Sequence, residues 1–144
     1  MPIKNLRTKE DFERMFVPEE LDEWGDRWLH RIRASQQFRL DLSLKMLEGY
    51  VKPNDRLKVL DIGCGQSDFL LKLYDNFPNF EYYGMDISEN VTEWNKRKYP
   101  FIKYRQGALP DVPYSPDYFD LVCALEILYY LEVAQQSIAL ENIK

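Results

Sequence analysis

From Leu57 to Ile62 apolar side chains are almost continuous, interrupted by Lys58 and Asp61. Such a run reads as a strand buried on both faces of a parallel sheet. Phe69, Leu70, Leu73, Tyr74 and Phe77 then recur at helical spacing. The same alternation of short apolar runs and helical stripes continues. Phe80 to Met85 predicts a second strand, Glu89 to Lys98 a helix with a basic end, and Phe101 to Arg105 a third strand. Tyr118 to Leu125 predicts a fourth strand, and Ile127 to Ile143 a last helix. Upstream, Thr8 caps a short helix with Asp11 at its third position. Leu21, Trp24, Trp28 and Ile32 form a helical stripe. Ser35 to Tyr50 predicts a further helix with Phe38, Leu42, Met46 and Leu47 as its inner face. The pattern is that of an α/β fold.

The chemistry concentrates where the first strand meets its helix, at Asp61-Ile62-Gly63-Cys64-Gly65-Gln66-Ser67-Asp68. Gly63 and Gly65 let the backbone turn sharply and approach a ligand closely. A glycine turn between a strand and a helix N-terminus cradles nucleotides. A dinucleotide fingerprint would place a third glycine where Asp68 stands, and a phosphate loop would need Gly-Lys-Ser/Thr. Neither is present, which disfavours a nucleotide-dependent oxidoreductase. Asp61 and Asp68 instead suit a cationic ligand without phosphate, and S-adenosylmethionine is such a ligand. Asp86 ends the second strand, about 20 residues past the turn, where a carboxylate can accept ribose hydroxyls. It could also cap the helix that follows, although Ser88 offers a cap of its own.

Three ordered segments carry a family resemblance over about residues 55–132. Val59 to Phe69 resembles motif I of the class I S-adenosylmethionine-dependent methyltransferases, Tyr82 to Ser88 motif II, and Phe119 to Leu131 motif IV with its sequel. Glu126 to Leu131, with Tyr129-Tyr130, is most similar to the nodulation protein S-like N-methyltransferases. The resemblance implies a Rossmann-like methyltransferase fold with strand order 3-2-1-4-5-7-6, of which 3-2-1-4 is present. It thus implies a chain truncated after its fourth strand. Residues 1–54 would form a helical lid segment, and 55–144 a partial S-adenosylmethionine-binding domain. The cofactor-binding residues implied are Asp61, Gly63, Cys64, Gly65, Ser67, Asp68, Asp86, Ile87, Ala108, Leu109, Ala124 and Leu125. Many relatives carry a carboxylate where Ala108 stands, so adenine is expected to meet backbone at Ala108 and Leu109, or Asp111.

The expected acceptor is a small molecule, methylated at nitrogen or oxygen. Trp28, Glu126, Tyr129 and Tyr130 are the acceptor-pocket candidates, since aromatic faces favour a methyl sulfonium. Each has a plainer reading as a packing or helix-starting residue. Aligning the reactants is most of the work in such a transfer, so no catalytic base is required. His30, the one histidine, is expected at the surface. A second reading is a cofactor-binding module with poor turnover.

Composition narrows the partners. Hydrophobic residues are 45% of the 144, enough for a core, and net charge is −5. The acidic balance speaks against a nucleic-acid polyanion. No apolar run reaches the ~20 residues of a membrane span. No signal-peptide core precedes Phe16, so a cytoplasmic protein is expected. Cys64 and Cys123 are too few for a disulfide framework or zinc site. The fourth strand would be an apolar edge, so a homodimer covering it is expected.

Overall fold

The computed structural model describes residues 8–16 and 34–143. The order of elements is α1 (Lys9–Met15), α2 (Ala34–Glu48), β1 (Lys58–Ile62), α3 (Asp68–Asn76), β2 (Glu81–Asp86), α4 (Glu89–Lys98), β3 (Lys103–Gln106), β4 (Leu121–Cys123), a 3-10 turn at Leu128–Tyr130, and α5 (Val133–Asn142). The four strands form one parallel sheet in the order β3-β2-β1-β4. This is the expected α/β arrangement. Leu21, Trp24, Trp28, His30 and Ile32 lie outside the described residues.

Pleating divides the core. Val59 and Tyr82 face one side with Phe69, Leu70, Leu73 and Phe77 of the α3 segment. Leu60, Ile62, Tyr83 and Met85 face the other, with Leu109 and Ala139 of α5. The two strands with cover on both faces are the two with near-continuous apolar sequence. Leu70 and Leu73 are fully buried, and truncating either to alanine would cost on the order of 2–5 kcal/mol.

Helix starts follow local chemistry. Thr8 and Asp11 form a reciprocal capping box on α1, as expected. Ser88 caps α4, its Oγ accepting from the Val91 N–H at 3.3 Å. Glu132 and Gln135 form another box on α5.

Three expectations change. The inner face of α2 is Leu40, Leu44 and Leu47, which pack on the core. Phe38, Leu42 and Met46 are 66%, 47% and 64% exposed. The helix carries two apolar stripes, and its packing against α3, where Asp41 pairs with Lys72, selects the leucine stripe. The fourth strand is only Leu121–Cys123, an edge strand that is half-buried at Leu121 and Val122. Finally, 127–143 is not one helix, because Leu131 and Glu132 are extended and separate the 3-10 turn from α5. Among the described residues, no helix is long and apolar enough to cross a membrane.

Candidate functional site

β1 delivers the chain into the glycine turn at the C-terminal edge of the sheet, where ligands of open α/β folds bind. Gly63 has φ +72 and Gly65 φ +50. A Cβ on Gly63 would stand 2.4 Å from Cγ2 of Ile127, so this position admits no side chain. A Cβ on Gly65 would meet nothing within 4 Å, which leaves its backbone open to an occupant. The turn is tied to β2 by the Gly63 and Cys64 N–H groups, both donating to the Met85 carbonyl at 2.7 and 3.0 Å.

Asp86 closes this arrangement. Its Oδ2 accepts from the Gly65 N–H at 2.9 Å and its Oδ1 from the Ser88 N–H at 3.0 Å. Two backbone donors leave further lone pairs on a carboxylate. The helix cap is Ser88, so Asp86 is a loop-organising carboxylate that faces a cavity.

That cavity has a volume of about 400 Å³, within the range of small-molecule sites. Its walls include Gly65, Asp86 and Ile87 on one side, Ala108 and Leu109 on another, and Glu126, Tyr129 and Tyr130 on a third. Among the described residues lining it there is no lysine or arginine. Helix α1 contributes Phe12 and Phe16. The Phe12 and Tyr130 rings meet edge to face, 5.2 Å between centroids.

A second cavity, of about 370 Å³, lies against α2. It shares Gly63, Cys64, Asp68, Leu125 and Glu126 with the first. Asp61 lines only this one, beside Arg39, Leu42 and Met46. The Asp61 carboxylate is 4% exposed and has no hydrogen-bond partner among the described residues. Burial, with the charges of Asp86 and Asp68 nearby, pushes its pKa up to about 8. Burial also raises Asp68, and raises Asp86 against the opposing pull of its backbone donors. Three acidic groups held close together in a largely buried site are met either by a proton, as at Asp61, or by a cation.

Most of the expected cofactor residues therefore line one cavity or both. Ser67 and Ala124 line neither. Ser67 is fully buried in a left-handed conformation, and its hydroxyl hydrogen-bonds that of Tyr104 at 2.7 Å. Asp111 is exposed and lines neither cavity, so Ala108 and Leu109 remain the adenine candidates. Glu126, Tyr129 and Tyr130 line the larger cavity. Cys64 and Cys123 are buried free thiols, and burial pushes the Cys123 pKa up to about 12.

Sequence reasoning missed Arg39 and Gln66. Nη1 of Arg39 lies 2.6 Å from Oε1 of Glu126, across the mouth of the α2-side cavity. Gln66 is 6% exposed, lines the larger cavity, and neither of its side-chain amide atoms has a partner among the described residues. A polar residue directly after Gly-Cys-Gly was the available signal for Gln66. Arg39 had none, because only folding brings α2 to the loop after β4.

The residues present fit S-adenosylmethionine. A buried carboxyl, Asp61, would meet its ammonium, and a carboxylate bonded to the turn, Asp86, its diol. Among the described residues no lysine or arginine lines the larger cavity to clamp a phosphate. Known proteins agree. A family described as "Methyltransferase domain" matches residues 59–144. A carboxy-S-adenosyl-L-methionine synthase of Campylobacter hominis is 39% identical over 44 residues, 31% of this chain and 19% of that protein. The crystal structure of magnesium protoporphyrin IX methyltransferase from Synechocystis PCC 6803, with bound S-adenosylmethionine, superposes with a TM-score of 0.70 at 19% identity, over 97% of this chain and 72% of that one. A sugar N-methyltransferase from Streptoalloteichus gives a TM-score of 0.61 at 23% identity, over 81% and 46%. The matched segment spans only about a fifth of the curated relatives, at 19% and 23% of their lengths. By family match and sheet order together, the chain belongs to the S-adenosylmethionine-dependent methyltransferase-domain family.

Proposed function

We propose that the two cavities together hold S-adenosylmethionine and a small-molecule acceptor that is methylated at nitrogen or oxygen, as in the nodulation protein S-like enzymes. The observation that carries this reading is the pairing of an occupied carboxylate, Asp86, with an unpartnered one, Asp61, at either end of one glycine turn. Asp86 would accept the ribose hydroxyls. Ile87, Ala108 and Leu109 would flank the adenine. Asp61 would take the ammonium of the amino-acid end, and Arg39, in the same cavity, its carboxylate. When bound, the sulfonium supplies an activated methyl group. The chain's own contribution is alignment and exclusion of water. Phe12, Tyr129 and Tyr130 would wall the acceptor from solvent, with residues 1–54 serving as the lid.

The test is calorimetric titration with S-adenosylhomocysteine, NAD and NADP, then methyl transfer to a panel of amines and phenols. Binding of S-adenosylhomocysteine alone, with turnover of some acceptors, is expected. Binding of NAD in its place would sink the proposal. A second reading is a cofactor-binding module with poor turnover. Tight S-adenosylhomocysteine binding without methyl transfer would select it. A second copy pairing along β4 or across α5, where Val133 is 81% exposed, belongs to the same proposal. A monomer in light scattering would remove that part alone.

A further inference from the structure

We propose that the Arg39–Glu126 ion pair is an exchangeable contact. The carboxylate of the cofactor displaces Glu126 from Arg39, and the released Glu126 then positions an amine as the methyl acceptor. This rests on the cofactor reading above and names the acceptor class for the same site.

The two cavities meet at Glu126, whereas Arg39 lines only the smaller one. The side chains of the pair are 53% and 43% exposed. A pair so open to water is screened and contributes little, so breaking it costs little. A guanidinium presents five donors and takes a carboxylate in fork geometry. Exchange of one carboxylate for another therefore preserves its charge pairing.

Asp61 gives the exchange a direction. It is buried, lines the same cavity as Arg39, and has no hydrogen-bond partner among the described residues. A zwitterion whose ammonium settles on Asp61 brings its own carboxylate to Arg39. Glu126 is then left beside Asp68 where the cavities join. With its arginine taken, that junction carries two acidic groups and no cation among the described lining residues. The complementary group is an amine that arrives as a nitrogen cation or N–H donor. Its proton passes to the Glu126 carboxylate, so that its lone pair can form the N–C bond as the S–C bond of the sulfonium breaks and the thioether leaves. On the side of the larger cavity, the wall of Phe12, Tyr129 and Tyr130 suits an apolar body attached to the amine.

The experiment is calorimetry on the whole chain with cyclohexylamine and its neutral match cyclohexanol. Each is titrated into free protein, protein saturated with S-adenosylhomocysteine, and protein saturated with 5′-methylthioadenosine. The last keeps nucleoside and thioether but lacks the amino-acid end. S-adenosylhomocysteine is expected to tighten cyclohexylamine binding about 10-fold, within the usual range of coupling between sites. Methylthioadenosine is expected to give no gain, and cyclohexanol to gain nothing from either. Glu126→Gln should bind S-adenosylhomocysteine several-fold more tightly than the parent, because Arg39 no longer has a competitor, and should lose the amine gain. Arg39→Met should weaken S-adenosylhomocysteine about 10-fold, equivalent to a 1.4 kcal/mol loss. An equal gain with methylthioadenosine, or weaker S-adenosylhomocysteine binding in Glu126→Gln, would overturn the exchange while leaving the cofactor reading in place. Failure of S-adenosylhomocysteine to bind the parent chain would overturn both.

Discussion

Asp61 is the residue on which protonation and binding turn. Its folded pKa of about 8 lies above its ordinary value of 3.8, with burial the main cause. Between those values the folded state holds a proton that the unfolded state has shed. Stability of the unliganded protein must therefore fall as pH rises through that window. A cationic ligand reverses this by favouring the ionised form, so its binding releases a proton. Calorimetry of S-adenosylhomocysteine at pH 7 in two buffers of different ionisation enthalpy should register the release, and Asp61→Asn should abolish it. Gln66 makes the opposite kind of statement. Its buried amide satisfies no partner, and such a group costs about 1–3 kcal/mol. Gln66→Leu should leave the unliganded protein as stable or more so in urea unfolding, yet weaken S-adenosylhomocysteine. Equal losses in both would show that Gln66 is only a packing residue. The placement of Asp61, Gly63, Gly65, Asp68 and Asp86 at the cavities was legible from sequence, because it depends on neighbours in the chain or on strand ends. That the Ser67 hydroxyl turns to Tyr104 was not legible, because Tyr104 lies on β3.

Helix α1 shows what an element gains from a distant one. Glu13 accepts from Ser88 Oγ at 2.7 Å and from the Glu89 and Asn90 N–H groups at 2.6 and 3.2 Å. A carboxylate from one helix thus caps the positive end of another, next to the Asp86 loop. Desolvation works to raise the Glu13 pKa, but the bonds from Ser88, Glu89 and Asn90 outweigh it and hold the value below the ordinary 4.5. The contribution is therefore present above the unfolded value and lost as pH falls through the lower folded one. Glu13→Gln should cost about 1 kcal/mol, the usual worth of such a cap. Amide exchange at Glu89 and Asn90 should accelerate, and α1 should loosen from the cavity wall. Unchanged protection there would show that Phe12 and Tyr130 alone hold the helix. None of this clasp is visible in sequence, where Glu13 is one acid among many. The extents of β1, β2 and α4 were legible, because strand and helix periods differ and Ser88 marks a start. The inner face of α2 was not, because two stripes at the same period compete and only the partner helix decides.

For the molecule as a whole, ligand binding should be worth more than any one of these contacts. At a concentration of 100 times its dissociation constant, S-adenosylhomocysteine should add about 2.7 kcal/mol to unfolding free energy. For a domain of this size that is a rise in Tm of several degrees, measurable by scanning calorimetry. No rise at saturating concentrations would place the ligand elsewhere than on the native fold. The sequence by itself determined the parallel sheet, the glycine turn, its acidic character and Asp86 as the carboxylate at the second strand end. These follow from periodicity and from backbone freedom that only glycine has, both local properties of the chain. Tertiary structure alone decided that Asp61 and Asp86 face different cavities. It also brought Arg39 to Glu126 and Glu13 to the head of α4, and left Gln66 without a partner. Those outcomes depend on which surfaces meet when distant segments pack, and the identity of a neighbour across the fold is not encoded in spacing along the chain.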